Sequence, residues 1–158
     1  MKREGPVEAV LDTSVIIGAI LESYDKETGS ASRNALTSLI ERPYHILRIS
    51  EKIRIECKKD LKHRGLPPDL ILPLLLGPLE PKGKIKMVRY NQEDIELKVS
   101  VPAHDRHVVE AAVAVKGKRK GMIVCLVHKN PRHFEPIKEE MRKKHDILVL
   151  SPEEYVDL

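Results

Sequence analysis

Val10-Leu11-Asp12-Thr13-Ser14-Val15-Ile16-Ile17-Gly18-Ala19-Ile20 (VLDTSVIIGAI) puts one carboxylate inside a run that otherwise reads as protein interior. An ionised carboxylate is costly to bury unless something pairs with it. Two readings are open on these residues alone: Asp12 caps a helix, or it works with other acids that the chain brings to the same place. The local fold is the same in both. The apolar residues up to Leu11 predict a short strand over 7–11. Asp12, Thr13 and Ser14 offer N-cap side chains, and Val15, Ile16, Ala19 and Ile20 begin a helical stripe.

Strands and helices alternate along the rest of the chain. Gly29-Ser30 opens a helix through residue 40, with Leu36, Leu39 and Ile40 on one face. Residues 45–49 read as a strand, and Ser50 caps a helix running to about residue 64, with Glu51 in its first turn favoured by the helix dipole. Another helical segment starts at 66–69 and ends at Pro78 and Pro81. Residues 85–88 read as a strand and 91–99 as a helix. After the break at Pro102, residues 103–115 carry Val108, Val109, Ala112 and Val115 at helical spacing. Residues 122–127 (MIVCLV) form a continuous apolar run, of the kind covered on both faces in a parallel sheet. A helix after Pro131, a strand over 147–150 and the tail SPEEYVDL complete the pattern. Repeated units of this kind predict one α/β domain over 1–158: a three-layer α/β/α sandwich around a central, mostly parallel, five-stranded sheet.

Composition narrows the class. With 158 residues, 41% of them hydrophobic and 33% charged, the chain suits a globular domain with a real core, not a disordered or membrane-embedded one. A net charge of +4 and a pI near 9.0 are compatible with a polyanionic partner without requiring one. Cys57 and Cys125 form no CxxC motif and read as reduced, buried thiols, so a cytoplasmic setting is expected. The start MKREGPVEAV has no apolar segment of signal length, and the apolar run over 70–76 is too short to cross a bilayer and contains Pro73. That run reads first as a core helix and second as an apolar patch for a dimer or partner. The basic loop over 116–121 reads as a surface connection. With no Trp, one Phe and four Tyr, base stacking on aromatic rings cannot be widespread.

Three acids fall at element ends. Asp12 closes the first strand, and open α/β sheets form sites beyond the carboxyl ends of strands. Glu56 follows Ile53 by three positions and precedes Cys57, on the partly apolar side of its helix. Asp105 begins the helix whose apolar stripe follows it. Each has an ordinary alternative: Asp12 as a cap, Glu56 as a surface partner of Lys52 or Lys59, Asp105 as an acid on a helix dipole. Their coincidence suits Mg²⁺ or Mn²⁺, hard cations that take a few carboxylate oxygens and complete their shell with water.

The chain resembles a PIN domain, the family of small metal-dependent ribonucleases that includes the toxins of VapBC-type toxin–antitoxin pairs. The matching pieces are VLDTSVIIGAI, ISEKIRIEC, HDRHVVEAAV, LVHKNPRHF and ILVLSPEEYVDL, in the family's order across nearly the whole chain. The resemblance implies metal-binding carboxylates at Asp12, Glu56 and Asp105, with Thr13 or Ser14 supporting the first acid. Where the family closes its site with Thr-x-Asp, this chain has His128-Lys129-Asn130, so a carboxylate is replaced by an amide. Asn130 can still offer a carbonyl oxygen to a metal, without charge.

The activity implied is hydrolysis of RNA phosphodiester bonds with Mg²⁺ or Mn²⁺, by a toxin or an RNA-processing nuclease. The alternative is a non-catalytic PIN domain that binds RNA or protein. Lys58, Lys59, Lys129 and Arg132 are candidates to meet the RNA backbone. His128 is a candidate proton donor or phosphate contact. The implied partners are RNA, an antitoxin protein and a second copy of the chain, with no membrane. A competing reading uses histidine: His104, His107, His128 and His133 surround the same motifs, and with Asp105 they suit Zn²⁺ or Mn²⁺.

Overall fold

The computed structural model describes residues 6–119 and 121–158. Residues 1–5, where the sequence shows no signal character, and Lys120 of the basic loop lie outside the described residues. Strands β1 (Val7–Leu11), β2 (His45–Ser50), β3 (Ile85–Val88), β4 (Ile123–Val127) and β5 (Leu148–Leu150) form one sheet in the order β3-β2-β1-β4-β5. Every neighbouring pair is parallel, with Val7 opposite both His45 and Ile123, and Leu11 opposite Val127. Parallel pairing requires crossovers. These run through helices α1 (Thr13–Tyr24), α2 (Ala31–Glu41), α3 (Glu51–His63), α4 (Pro68–Leu76), α5 (Arg106–Lys118), α6 (Pro131–Phe134) and α7 (Lys138–His145), and α8 (Pro152–Val156) packs on α2. The result is the expected α/β/α sandwich, with the sheet parallel throughout.

The helix starts follow from local chemistry. Asp12 caps α1, accepting from the Ser14 backbone N–H. Ser50 Oγ accepts from the Ile53 N–H at 3.1 Å and starts α3. At α8, Ser151 and Glu154 exchange a reciprocal capping box. Gly18 is required by packing: a Cβ there would sit 2.6 Å from Ser32 Oγ on α2.

The helix predicted over 91–99 is absent. Residues 92–94 form a single 3₁₀ turn, and the chain then runs without helix to residue 102. Ile95, Leu97, Val99 and Val101 are the residues that pack against the core. Their spacing is two, which suits an extended segment and not a helix. The backbone finds partners on α7 instead: the Lys98 N–H meets His145 Nε2 at 3.1 Å, and Lys144 Nζ donates to the Lys98 carbonyl at 3.2 Å. The predicted helix over 103–115 begins later than expected, since residues 103–105 form a 3₁₀ turn that leads into α5.

The apolar run after Pro68 is divided. Leu72, Leu76 and Leu79 enter the core, while Leu70 and Leu74 are 58% and 66% exposed. Among the described residues, no helix is long and apolar enough to cross a membrane. Cys57 and Cys125 are free and buried, and burial pushes both thiols up to about 12.

The amino end of the sheet holds buried polar groups of its own. Glu8 in β1 is fully buried, with Arg48 Nη1 at 3.6 Å and Arg119 Nε at 3.3 Å. His45, at the start of β2, has its Nδ1 2.7 Å from the Tyr155 hydroxyl.

Candidate functional site

β1 leads to β2 on one side and lies beside β4 on the other, so the direction of winding reverses between β1 and β4. In open α/β sheets, sites form in the crevice beyond the carboxyl ends of strands at such a reversal. Asp12 stands there, and its N–H donates to the Val127 carbonyl of β4 at 2.9 Å. Ser14 gives both its backbone N–H and its hydroxyl to Asp12 Oδ2, so neither occupies Oδ1. The same Ser14 hydroxyl accepts from the Lys129 N–H at 3.1 Å, tying α1 to the end of β4.

Glu56 on α3 is held from two sides. Thr13 Oγ1 donates to Oε1 at 2.6 Å, and His107 Nε2 of α5 lies 2.6 Å from Oε2. The two hydroxyls expected to support the first acid therefore divide: Ser14 serves Asp12 and Thr13 serves Glu56. His107 is in turn fixed by packing, being 3% exposed, and its backbone carbonyl accepts from the Tyr90 hydroxyl at 3.1 Å.

Asp105 is 7% exposed, at the junction of the 3₁₀ turn and α5. Its Oδ2 lies 2.6 Å from His133 Nδ1 and 3.3 Å from His104 Nε2. Asn130 places its Nδ2 3.0 Å from the same His133 Nδ1.

The electrostatics follow from this crowding. Burial raises the Asp12 pKa from its ordinary value, and the Asp105 and Glu56 charges push the same way, against the two Ser14 hydrogen bonds. The three acids are thus neighbours in the field sense. They are not drawn to within coordinating distance of one another: among the described residues, the donor atoms that gather within 4.8 Å are those of His104, Asp105 and His133. Glu56 is also less buried than its helical position suggested, its side chain being 40% exposed.

The cation candidates separate into two kinds. Lys58 Nζ lies 3.6 Å from Asp69, and Lys129 Nζ lies 3.1 Å from Glu22, so both are engaged within the fold. Lys59 and Arg132 are exposed and form no ion pair among the described residues. His128 is placed in the core: it is 1% exposed, stacked on Phe134 at 4.8 Å, and its Nδ1 accepts from the Asn130 N–H at 3.1 Å. Burial lowers its pKa, keeping the ring neutral.

Glu22 was not anticipated. It sits on α1 at 1% exposure and accepts from the Ser32 and Arg33 N–H groups, both at 3.2 Å, as well as from Lys129. Burial alone would raise its pKa, but these donors outweigh burial and the net shift is downward. It anchors the start of α2 under the site. No family model, curated protein or solved structure matches the chain.

Proposed function

We propose that this protein is a metal-dependent ribonuclease of the PIN type, in which Mg²⁺ or Mn²⁺ would draw together the carboxylates of Asp12, Glu56 and Asp105, which stand apart without it. The observation that carries the reading is the Asp12 carboxyl, buried at the winding reversal and further destabilised as an anion by two neighbouring acids. Such an arrangement disfavours the bare anion, and a bound cation relieves that cost. The donor set suits a hard divalent ion, since it consists of carboxylate oxygens, and the buried Asp105 Oδ2 lacks a hydrogen-bond partner. When bound, the ion supplies Lewis-acid stabilisation of a phosphodiester and a more acidic water.

The chain's own residues do the rest. Ser14 holds Asp12 by one oxygen, Oδ2, and makes no contact with the other. Thr13 and His107 fix Glu56 by both of its oxygens, so its geometry is set before substrate arrives. Lys59, three positions beyond Glu56 on α3, and Arg132 at the start of α6 are the free cations placed to meet RNA phosphates. An antitoxin partner, a homodimer and a cytoplasmic location belong to the same proposal, the last supported by the two free thiols. The exposed Leu70 and Leu74 are where a second copy would dock.

A second reading rests on Asn130, which supplies an amide where the family has an acid and turns it toward His133. In it, the chain binds RNA or protein without cutting. Purified protein with Mn²⁺ and single-stranded RNA separates the two. Cleavage that disappears in Asp12→Asn supports the nuclease. Cleavage that survives it points to a contaminant or another site. Absence of both cleavage and calorimetric Mn²⁺ binding supports the non-catalytic module.

A further inference from the structure

Asp105 Oδ2 is buried, lies 2.6 Å from His133 Nδ1 and 3.3 Å from His104 Nε2, and still has no hydrogen-bond partner. The distances are short enough for hydrogen bonds, so the angles must fail. The nitrogens approach the oxygen without aiming an N–H at it. One ligand atom from each of His104, Asp105 and His133 lies within 4.8 Å of the others, around a buried carboxylate oxygen with no partner.

The contact to Asn130 sharpens this. His133 Nδ1 carries either a proton or a lone pair, so it cannot both donate to Asp105 and accept from the Asn130 amide 3.0 Å away. If the amide donates, the Nδ1 lone pair is directed at Asn130, and Nδ1 brings no proton to the carboxylate oxygen 2.6 Å away. A cation beside Asp105 Oδ2 supplies the positive charge that neither ring brings to it. Rotating the Asn130 amide brings its carbonyl oxygen to the same side as a neutral fourth donor.

We propose that His104, Asp105 and His133 bind a late first-row divalent cation, Zn²⁺ foremost. Two imidazoles and one carboxylate form a donor set that suits zinc better than magnesium. The His104–Asp105 separation of 3.3 Å matches the edge of a tetrahedron with ligand bonds of about 2.0–2.1 Å. The shorter Asp105–His133 separation opens slightly on binding. The access route is His104, whose side chain is 69% exposed and whose ring meets that of His133 edge-on at a centroid distance of 5.0 Å. The site shares Asp105 with the acid trio but contains neither Asp12 nor Glu56, and it stands whether or not the chain cleaves RNA. Where both ions are present, zinc competes for Asp105.

Titration of the full-length chain with Co²⁺, followed by visible absorption, reads the site directly, and Zn²⁺ displaces the signal. One Co²⁺ per chain is expected. His104→Ala and His133→Ala each weaken binding at least tenfold, while Glu56→Gln changes it less than threefold. Because His104 is exposed, its replacement leaves the fold intact, and circular dichroism checks this for each variant. Absence of Co²⁺ binding by the wild type overturns the proposal. So does a His104→Ala/His133→Ala double variant that binds within twofold of wild type. If Glu56→Gln abolishes binding as fully as the histidine variants do, the ion belongs to the acid trio, and the site proposed here falls while the nuclease reading survives. Retained histidine-dependent Co²⁺ binding in a chain that cleaves no RNA leaves this site standing and removes the nuclease.

Discussion

Glu8 and Asp12 are four residues apart, one within β1 and one just beyond it, and both are buried in opposite company. At the amino end of the sheet, Glu8 has a guanidinium on either side, from Arg48 and Arg119. At the carboxyl end, Asp12 has two other acids as neighbours and only hydroxyl and amide donors in contact. Lys129, whose N–H meets Ser14 beside Asp12, has its ammonium committed to Glu22. A carboxylate matched by cations from its own chain is structural, because nothing further is needed to keep it charged. In the function proposed above, the one left short of positive charge takes its cation from solution.

The largest effect should come from Asp12→Asn. Asn keeps the N-cap but removes the charge, and RNA cleavage with Mn²⁺ should fall about a thousandfold, equivalent to about 4 kcal/mol of transition-state stabilisation. The same variant should melt at least as high as wild type. The folded pKa of Asp12 is raised, so above its unfolded value of 3.8 the carboxylate disfavours the fold, and neutralising it relieves that cost at pH 7. A fall in melting temperature would place Asp12 with Glu8 among the structural acids.

Glu8→Gln is the converse. It leaves Arg48 and Arg119 beside an uncharged amide, and urea unfolding should show a loss of about 3 kcal/mol, at the low end for a broken buried pair because Arg119 reaches solvent. Cleavage per folded molecule should not change. A stable but inactive Glu8→Gln protein would remove the distinction between the two ends.

At the same amino end, burial foremost, with Arg42 and Lys84, holds His45 down to about 4. Between pH 6.5 and about 4 the unfolded chain therefore binds a proton that the folded chain refuses. Stability is complete above that window and declines as pH falls through it, by up to about 3 kcal/mol. His45→Gln should flatten the profile of unfolding free energy against pH, and an unchanged slope would assign it to another group. The smallest change is Asn130→Asp, which adds charge to the cation-poor end. Calorimetric Mn²⁺ affinity should rise about tenfold, or about 1.4 kcal/mol. A weaker affinity would mean that the amide oxygen was already the better donor.

Much of this was legible in VLDTSVIIGAI and the motifs after it. Strand, cap and helix follow from residue type and period, and Asp12, Ser50 and Pro131 fall at the starts they mark. The helix expected over 91–99 fails because Asn91, Gln92, Glu93 and Asp94 resemble a helix start, while the apolar residues that follow over 95–101 alternate with a period of two. Glu22 was hidden because nothing local marks it: its burial comes from the start of α2 docking on α1, across the close approach that Gly18 permits.

By itself, then, the sequence determined an alternating α/β chain with Asp12 and Asp105 at helix starts, since these depend on local periodicity and capping. Strand order does not, so only the tertiary structure put β1 between β2 and β4 and made the end of β1 the point where the winding reverses. It also decided which partner each side chain meets. Thr13 goes to Glu56, His128 into the core against Phe134, and His104 and His133 to Asp105. Thr13 with Glu56 and His133 with Asp105 join residues far apart in the chain, and only packing in three dimensions selects such partners.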